Sequence, residues 1–320
     1  MISPITAYHF TQPTRRQIVE YSKKIYTYGA VICFDFEDII MDLSTHSYSE
    51  NERDILRSAI AETLMELFNQ TGSPKTGVRL NNFSSTYFEQ DLQTLKHINP
   101  KNFLDSVFLP KSETPDEICF AINALHSEGI SFREIIPVIE TKRGMENINS
   151  LLSIKNKEFR KVAFGHCDFN RDNNYFPFSH QNTELYWEWI GQILSVVGHN
   201  NKMFINSPYL RLHDIPGFNK MLMRLKAMTP NEIGQITLAE GQTKMCAEFR
   251  NLQSAVGNYI PLLPEDKLKK AEKIIFEFEN NKIRDKSISV NSEGVLISPH
   301  EYAAAIEYMN TYSKKYETAK

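Results

Sequence analysis

The chain has 320 residues, 41% hydrophobic and 23% charged, with a net charge of −3. This is an ordinary globular composition, sized for one large domain with an appendage or for two domains. The slight acidity argues against nonspecific nucleic-acid binding, which wants a strongly basic face, and no apolar run approaches the roughly 20 residues that span a bilayer. The four cysteines, Cys33, Cys119, Cys167 and Cys246, are widely separated and form no CxxC. With no basic stretch leading into an apolar one in MISPITAYHF, they point to a reducing cytoplasm and no signal peptide.

Short β-like runs alternate with amphipathic stretches. SPITAYHF, from Ser3, is the first candidate strand and AVICFDFED, from Ala30, the second. A helix follows in SENERDILRSAIAETLMELFNQTG, with Ser49 as candidate N-cap, Ile55, Ile60, Leu64 and Leu67 near helical spacing, and Gly72 beyond its end. GVRLNN, from Gly77, and SVFLPK, from Ser106, are the third and fourth strands. TPDEICFAINALHSEG then reads as a helix capped by Thr114, with Pro115 at its first position, acids in its first turn and Gly129 past its end. IIPVIET, from Ile135, is the fifth strand and KVAFGHCDF, from Lys161, the sixth. After the helical TELYWEWIGQILSVVG come MFINSPY, from Met203, and GQITLAEG, from Gly234, the seventh and eighth.

Strands that alternate with helices form a parallel sheet, because parallel neighbours need crossover connections. Eight of them close a (β/α)8 barrel of about 250 residues. A doubly wound open sheet is the alternative, but neither GxGxxG nor GxxxxGK[ST] occurs. We expect an α/β fold: a TIM barrel over residues 1–250 with a C-terminal helical extension over 251–320. The barrel is complete near Gly241. The extension carries two amphipathic helices, with Leu268, Ala271, Ile275 and Phe278 on one stripe and Tyr302, Ile306 and Met309 on the other, faces that a neighbouring subunit would bury.

A TIM barrel places its chemistry at the C-terminal ends of its strands. Those ends carry Asp35, Glu37 and Asp38, then Arg79 and Asn81, then Lys111, Glu140 and Asp168. In IIPVIETKRG an apolar run stops abruptly at Glu140, and a carboxylate there is costly to bury without a cation to hold. Glu140 and Asp168 belong to consecutive strands, so the pair can share a hard divalent ion; magnesium takes few protein carboxylates and completes its shell with water and substrate oxygens. Arg79 offers a planar fork for a substrate carboxylate. Plainer roles stay open: Glu140 paired with Arg143, Asp168 as a cap, Arg79 bridged to Glu37 or Asp38, Lys111 as a solvated lysine. GHCD invites a zinc reading through His166, Cys167 and Asp168, but on a strand adjacent side chains face opposite ways, which disfavours it.

Five segments in chain order, FDFEDII, GVRLNN, FLPKSETPDEI, VIETKRGMENI and AFGHCDF, resemble the D-L-E-D, V-R-I-N, L-P-K-x-E, I-E-T-x-x-G and F-G-x-x-D motifs of the citrate lyase β-subunit and malyl-CoA lyase family. That family is the HpcH/HpaI aldolase-like group of the phosphoenolpyruvate/pyruvate superfamily. The likeness covers about residues 3 to 250, continues faintly to 310 and marks a divergent member. It implies a barrel, dependent on Mg2+ or Mn2+, that breaks or makes a carbon–carbon bond beside a carbonyl through a metal-stabilised enolate. Glu140 and Asp168 would be the metal ligands, and Arg79 would bind the carboxylate of a small hydroxylated acid or its thioester. Glu37 and Asp38 would orient Arg79 or metal-bound water, and Arg143, Gly144 and Lys111 would line the substrate pocket. The resemblance also implies a homo-oligomer, a trimer or hexamer, whose C-terminal segment reaches a neighbour.

Two segments depart from the pattern. Where the family shows I-H-P-x-Q, which helps hold coenzyme A, this chain has ITLAEGQ and keeps only Gln242. Where it shows G-K-M-I-D, this chain has GVLISP, with Ser298 in place of the acid. Weak coenzyme A binding is therefore expected, although a coenzyme A thioester stays open as a substrate. A metal-dependent thioesterase or transferase, and a non-catalytic structural or regulatory barrel, are the other readings.

Overall fold

The computed structural model describes residues 5–37, 50–70, 72–98, 103–249, 264–280, 289–291 and 294–317. Its first half follows the expected alternation: β1 (Thr6–Phe10), α1 (Ile18–Tyr26), β2 (Val31–Asp35), α2 (Glu50–Phe68), β3 (Thr76–Arg79), α3 (Thr86–His97), β4 (Leu104–Leu109), α4 (Pro115–Ser127) and β5 (Phe132–Ile139). Local chemistry sets the helix starts. Thr114 and Glu117 form a reciprocal capping box ahead of α4, with Pro115 in the first turn. Ser85 caps α3 by accepting from the Tyr87 N–H. Asp38 and Ser49 lie outside the described residues.

Past β5 come two short helices, α5 (Lys142–Glu146) and α6 (Ile148–Leu152), then β6 (Lys161–Phe164), α7 (His166–Asp172), α8 (Glu184–His199), β7 (Met203–Asn206), α9 (Ile215–Met228), β8 (Ile233–Thr237) and α10 (Glu240–Ala247). The eight strands are parallel and close on themselves in sequence order, β8 pairing back to β1. The sequence placed Asp168 on the sixth strand; instead that strand stops at Phe164 and Asp168 lies in the first turn of α7. The alternation used against zinc therefore does not apply. β8 likewise ends at Thr237, short of Gly241, which sits in α10.

The barrel interior holds Tyr8, Val31, Cys33, Phe108, Ile136, Val138, Ala163 and Ile205. Toward the strand starts this apolar layer meets a polar plug. Glu134 accepts from Ser106 Oγ at 2.8 Å and Tyr8 OH at 3.2 Å, and it pairs with Lys161 at 2.8 Å. A larger apolar layer, including Ile32, Phe34, Ile60, Leu64, Ile118, Leu125, Ile190 and Leu222, fills the space between strands and helices.

The C-terminal extension comprises α11 (Pro264–Asn280), a two-stranded antiparallel ribbon of β9 (Ser289–Val290) and β10 (Leu296–Ile297), and α12 (Pro299–Glu317). Ala271, Ile274 and Phe278 form the buried stripe of α11, so Ile274 is the fully buried residue where Ile275 was expected. Phe278 stacks on Tyr302 of α12 with ring centroids 4.2 Å apart. The extension docks on its own barrel. The Leu296 N–H donates to the Leu210 carbonyl at 2.9 Å, the Leu212 N–H donates to Gly294 at 3.2 Å, and Phe176 meets Tyr308 with centroids 5.0 Å apart.

Candidate active site

Strand alternation builds the site. On β2 the inward positions Val31 and Cys33 are followed by Asp35, and the same phase carries on to Glu37. On β5, Ile136 and Val138 are followed by Glu140. Glu37 and Glu140 are 2% and 1% exposed, so both carboxylates are withdrawn from water. Arg79 ends β3 opposite Asp35. Its Nε donates to Asp35 Oδ1 at 2.9 Å, one terminal nitrogen pairs with Asp35 Oδ2, and the other lies 2.9 Å from Glu37 Oε2.

Lys111 follows β4 in a left-handed conformation, with φ of 50°. The turn points its N–H at Glu140 Oε1, 2.8 Å away. Its ammonium reaches Glu37 Oε1 and lies 3.3 Å from Asp168 Oδ1. Gly165 makes room for the acid beside it: a Cβ built there would fall 2.1 Å from Glu140 Oε2 and 2.8 Å from the Glu140 Cβ. A side chain there would fill the Glu140 cradle.

Burial, and then the neighbouring Asp168 carboxylate, push the Glu140 carboxyl well above the usual range. Burial alone would raise Asp168 too, but His300 and Lys111 outweigh it and hold that carboxyl well below its ordinary value. His300 is the residue that sequence reasoning missed. It stands in the first turn of α12, and its Nε2 lies 2.8 Å from Asp168 Oδ1. Beside it, Glu301 lies 3.5 Å from His180 Nε2, and His180 Nδ1 meets His166 Nε2 at 2.9 Å. Nothing in the local sequence SPHEY marks His300, because its partner is more than a hundred residues away.

The other expected site residues lie apart. Arg143 is largely exposed and sits 3.5 Å from Glu113, so it does not form the pair with Glu140 that the sequence allowed. Gly144 is buried, and its N–H donates to Thr141 Oγ1 at 3.0 Å, capping α5. Asn81 braces Asp91 and the Phe36 carbonyl. Gln242 pins two loops, accepting from the Leu238 N–H at 3.1 Å and donating to the Tyr209 carbonyl at 2.8 Å.

Among the described residues, Asp35, Glu37, Glu140 and Asp168 face only Arg79 and Lys111 as fixed cations within this network. The acids outnumber these cations, an excess that a divalent ion would offset. The donors are hard carboxylate oxygens, suited to magnesium or manganese more than to zinc. Among the described residues no set of three His, Cys, Asp or Glu side chains forms a complete metal site. Two carboxylates with water and substrate oxygens are a normal arrangement for magnesium.

A family profile described as HpcH/HpaI aldolase/citrate lyase matches residues 22–207, more than half of the chain. The chain belongs to this family. Among solved structures, RipC from Yersinia pestis aligns with a TM-score of 0.56 at 17% identity, over 78% of this chain and 96% of that one. The citrate lyase β subunit of M. tuberculosis, complexed with oxaloacetate and magnesium, aligns at 0.58 and 16%, over 77% and 96%. The CitE protein of Mycobacterium tuberculosis, in complex with magnesium, acetoacetate and coenzyme A, aligns at 0.57 and 14%, over 97% and 98%. At these identities the likeness is one of fold, and it agrees with the closed barrel. A search of curated proteins returns no match. No described helix of this family member is long and apolar enough to cross a membrane.

Proposed function

We propose that this aldolase/citrate lyase family member is a magnesium-dependent carbon–carbon lyase acting on a small hydroxylated carboxylic acid or its thioester. One observation carries the reading: the buried Glu140 and the largely buried Asp168 are both held by Lys111 at the barrel mouth, one through its N–H and the other through its ammonium, inside a network with more acids than cations. Glu140 and Asp168 would hold Mg2+ or Mn2+. When bound, the ion would supply Lewis-acid polarisation of the substrate carbonyl and charge stabilisation of an enolate. The chain's own groups do the remaining work. Asp35 and Glu37 fix the plane of Arg79, which would orient the substrate carboxylate. Lys111 carries positive charge between Glu37 and Asp168 and, with Arg79, would attract an anionic substrate. Arg143 and Gly144 would contribute at the pocket rim, the latter through backbone alone. The cited neighbours bound to magnesium with oxaloacetate or acetoacetate support the ion and the substrate class.

Calorimetry with Mg2+ and Mn2+ on the wild type and Glu140→Gln tests the reading; equal affinities would overturn it. Coenzyme A is a weaker proposal. Leu238, Ala239 and Glu240 stand where the family resemblance expects His and Pro, and both amide atoms of Gln242 are engaged within the protein. We expect at most weak acetyl-CoA binding, and micromolar affinity would reverse that expectation. Trimeric assembly, with residues 251–320 against a neighbour, is a further proposal, checked by light scattering: a mass near 37.0 kDa refutes it. A non-catalytic barrel is favoured by one feature: Arg79 and Lys111 are already paired with acids of the chain itself. Retro-aldol turnover of any hydroxylated acid would exclude it.

A further inference from the structure

We propose that His300 is a positioning residue for the ion site, delivered by the C-terminal extension of the same chain. It holds Asp168 by one carboxylate oxygen so that the other faces the ion. The inference rests on the metal reading given above.

Among the described residues, the two ion-pair contacts of Asp168 both fall on Oδ1: His300 Nε2 at 2.8 Å and Lys111 Nζ at 3.3 Å. A carboxylate oxygen accepts, so Nε2 donates. Lys111 is shared with Glu37 and has a flexible stem, so it fixes the charge of Asp168 better than its orientation. The imidazole is rigid and 6% exposed. Its backbone is anchored on both sides. Before it, Arg211 and Val295 form an antiparallel bridge, and Ser298 Oγ accepts from the Glu301 N–H at 3.1 Å. After it come Tyr302 and Ala305, buried against α11. A donor so held sets the rotation of the Asp168 carboxylate and leaves Oδ2 as the ligand atom. Hydrogen bonds to ligating carboxylates commonly change metal affinity by about 10- to 100-fold.

The plainer role is a tether, in which His300 only docks α12. The two roles separate because the chain has a second link beside it, Glu301 to His180, that does not touch Asp168. The test is Mn2+ affinity of the full chain, read by electron paramagnetic resonance, with fold checked by circular dichroism. His300→Ala should weaken Mn2+ binding about 10- to 100-fold, and His300→Gln, which restores a donor, should recover most of it. Glu301→Gln should leave the affinity within about twofold. If the alanine variant does not fold, His300→Phe keeps the buried volume, removes the donor and carries the same expectation. Unchanged affinity in a folded donor-free variant overturns the inference, as does an equal loss in Glu301→Gln. A wild type that binds no Mn2+ overturns the metal reading and this inference with it. A wild type that binds, loses binding in Glu140→Gln and is indifferent to His300 overturns this inference alone.

Discussion

Replacing Gly165 with alanine should displace Glu140 and so separate the site's geometry from its charge. At φ of −108° and ψ of 87° the glycine backbone is open to an alanine, so the penalty is one of contact. The new methyl would fall 2.1 Å from Glu140 Oε2 and 2.8 Å from its Cβ. Neither group can stay in place. Overpacking of this kind costs about 1–3 kcal/mol. Moving the carboxylate also strips the partly buried Lys111 N–H of its 2.8 Å acceptor, which adds about 1 kcal/mol and at most about 3. The gain from a less flexible unfolded chain, about 0.4–1 kcal/mol, offsets a little of this. A net loss of about 2–4 kcal/mol should appear in urea denaturation, together with loss of Mn2+ binding. In a Glu140→Ala background the nearest of those Glu140 atoms left is Cβ at 2.8 Å, and the amide has already lost its acceptor. There the same glycine change should cost about half as much. Equal penalties in the two backgrounds, or a Gly165→Ala protein with wild-type stability and Mn2+ affinity, would refute the cradle argument.

Phe278→Ala should remove the Tyr302 stack and loosen the extension by about 3–5 kcal/mol; limited proteolysis should then cut the C-terminal segment first and leave the barrel intact. Lys161→Met strands the buried Glu134 carboxylate and should destabilise the barrel by about 2–4 kcal/mol in urea denaturation, while adding Glu134→Gln should return most of that. His9 is buried between Thr237, Thr243 and Tyr21, and burial lowers its pKa from 6.5 to about 3. The unfolded chain therefore takes up this proton below pH 6.5 while the folded chain does not until near pH 3. The contribution is full above pH 6.5 and is lost as pH falls toward 3, by about 1 kcal/mol per pH unit. His9→Gln should flatten that slope in denaturation curves between pH 6.5 and 5, and an unchanged slope would show that another group governs it.

The barrel was legible because each strand is a short apolar run bounded by turn signals, and because such runs alternate with capped amphipathic helices. Glu140 was legible for a physical reason: an acid in the inward phase of a buried strand is expensive, and expense marks function. Asp168 was singled out as the end of the sixth strand and so given the wrong element, since FGHCD carries too little periodicity to tell a strand end from a helix start. Lys111 was assigned to the substrate pocket from the family resemblance, beside the plainer reading of a solvated lysine; its left-handed backbone, which turns both its N–H and its ammonium onto acids, has no signature in the sequence. His300 was hidden for another reason. Attention fell on Ser298, where the expected acid is missing, while the side chain that reaches the mouth lies two residues further on, in the first turn of α12.

The charge count gives these residues a common logic. Asp35, Glu37 and Asp168 are each paired with a cation while Glu140 receives the Lys111 backbone N–H, and the acids outnumber the fixed cations; in a low-dielectric pocket that excess cannot stay fully ionised without help. The folded chain answers in two ways. It leaves Glu140 easy to protonate, and it draws Lys111 and His300 onto Asp168 so that one acid remains an anion. Under the proposed metal reading such a pair would suit a cation, which would compete with a proton at Glu140 and find Asp168 favouring its charged form. The same reasoning explains why the extension matters to the chemistry although the barrel closes without it. Of the groups that favour the charged form of Asp168, Lys111 follows β4, Arg79 ends β3 and His300 stands on α12, so the electrostatics of the mouth is complete only when the last helix is docked.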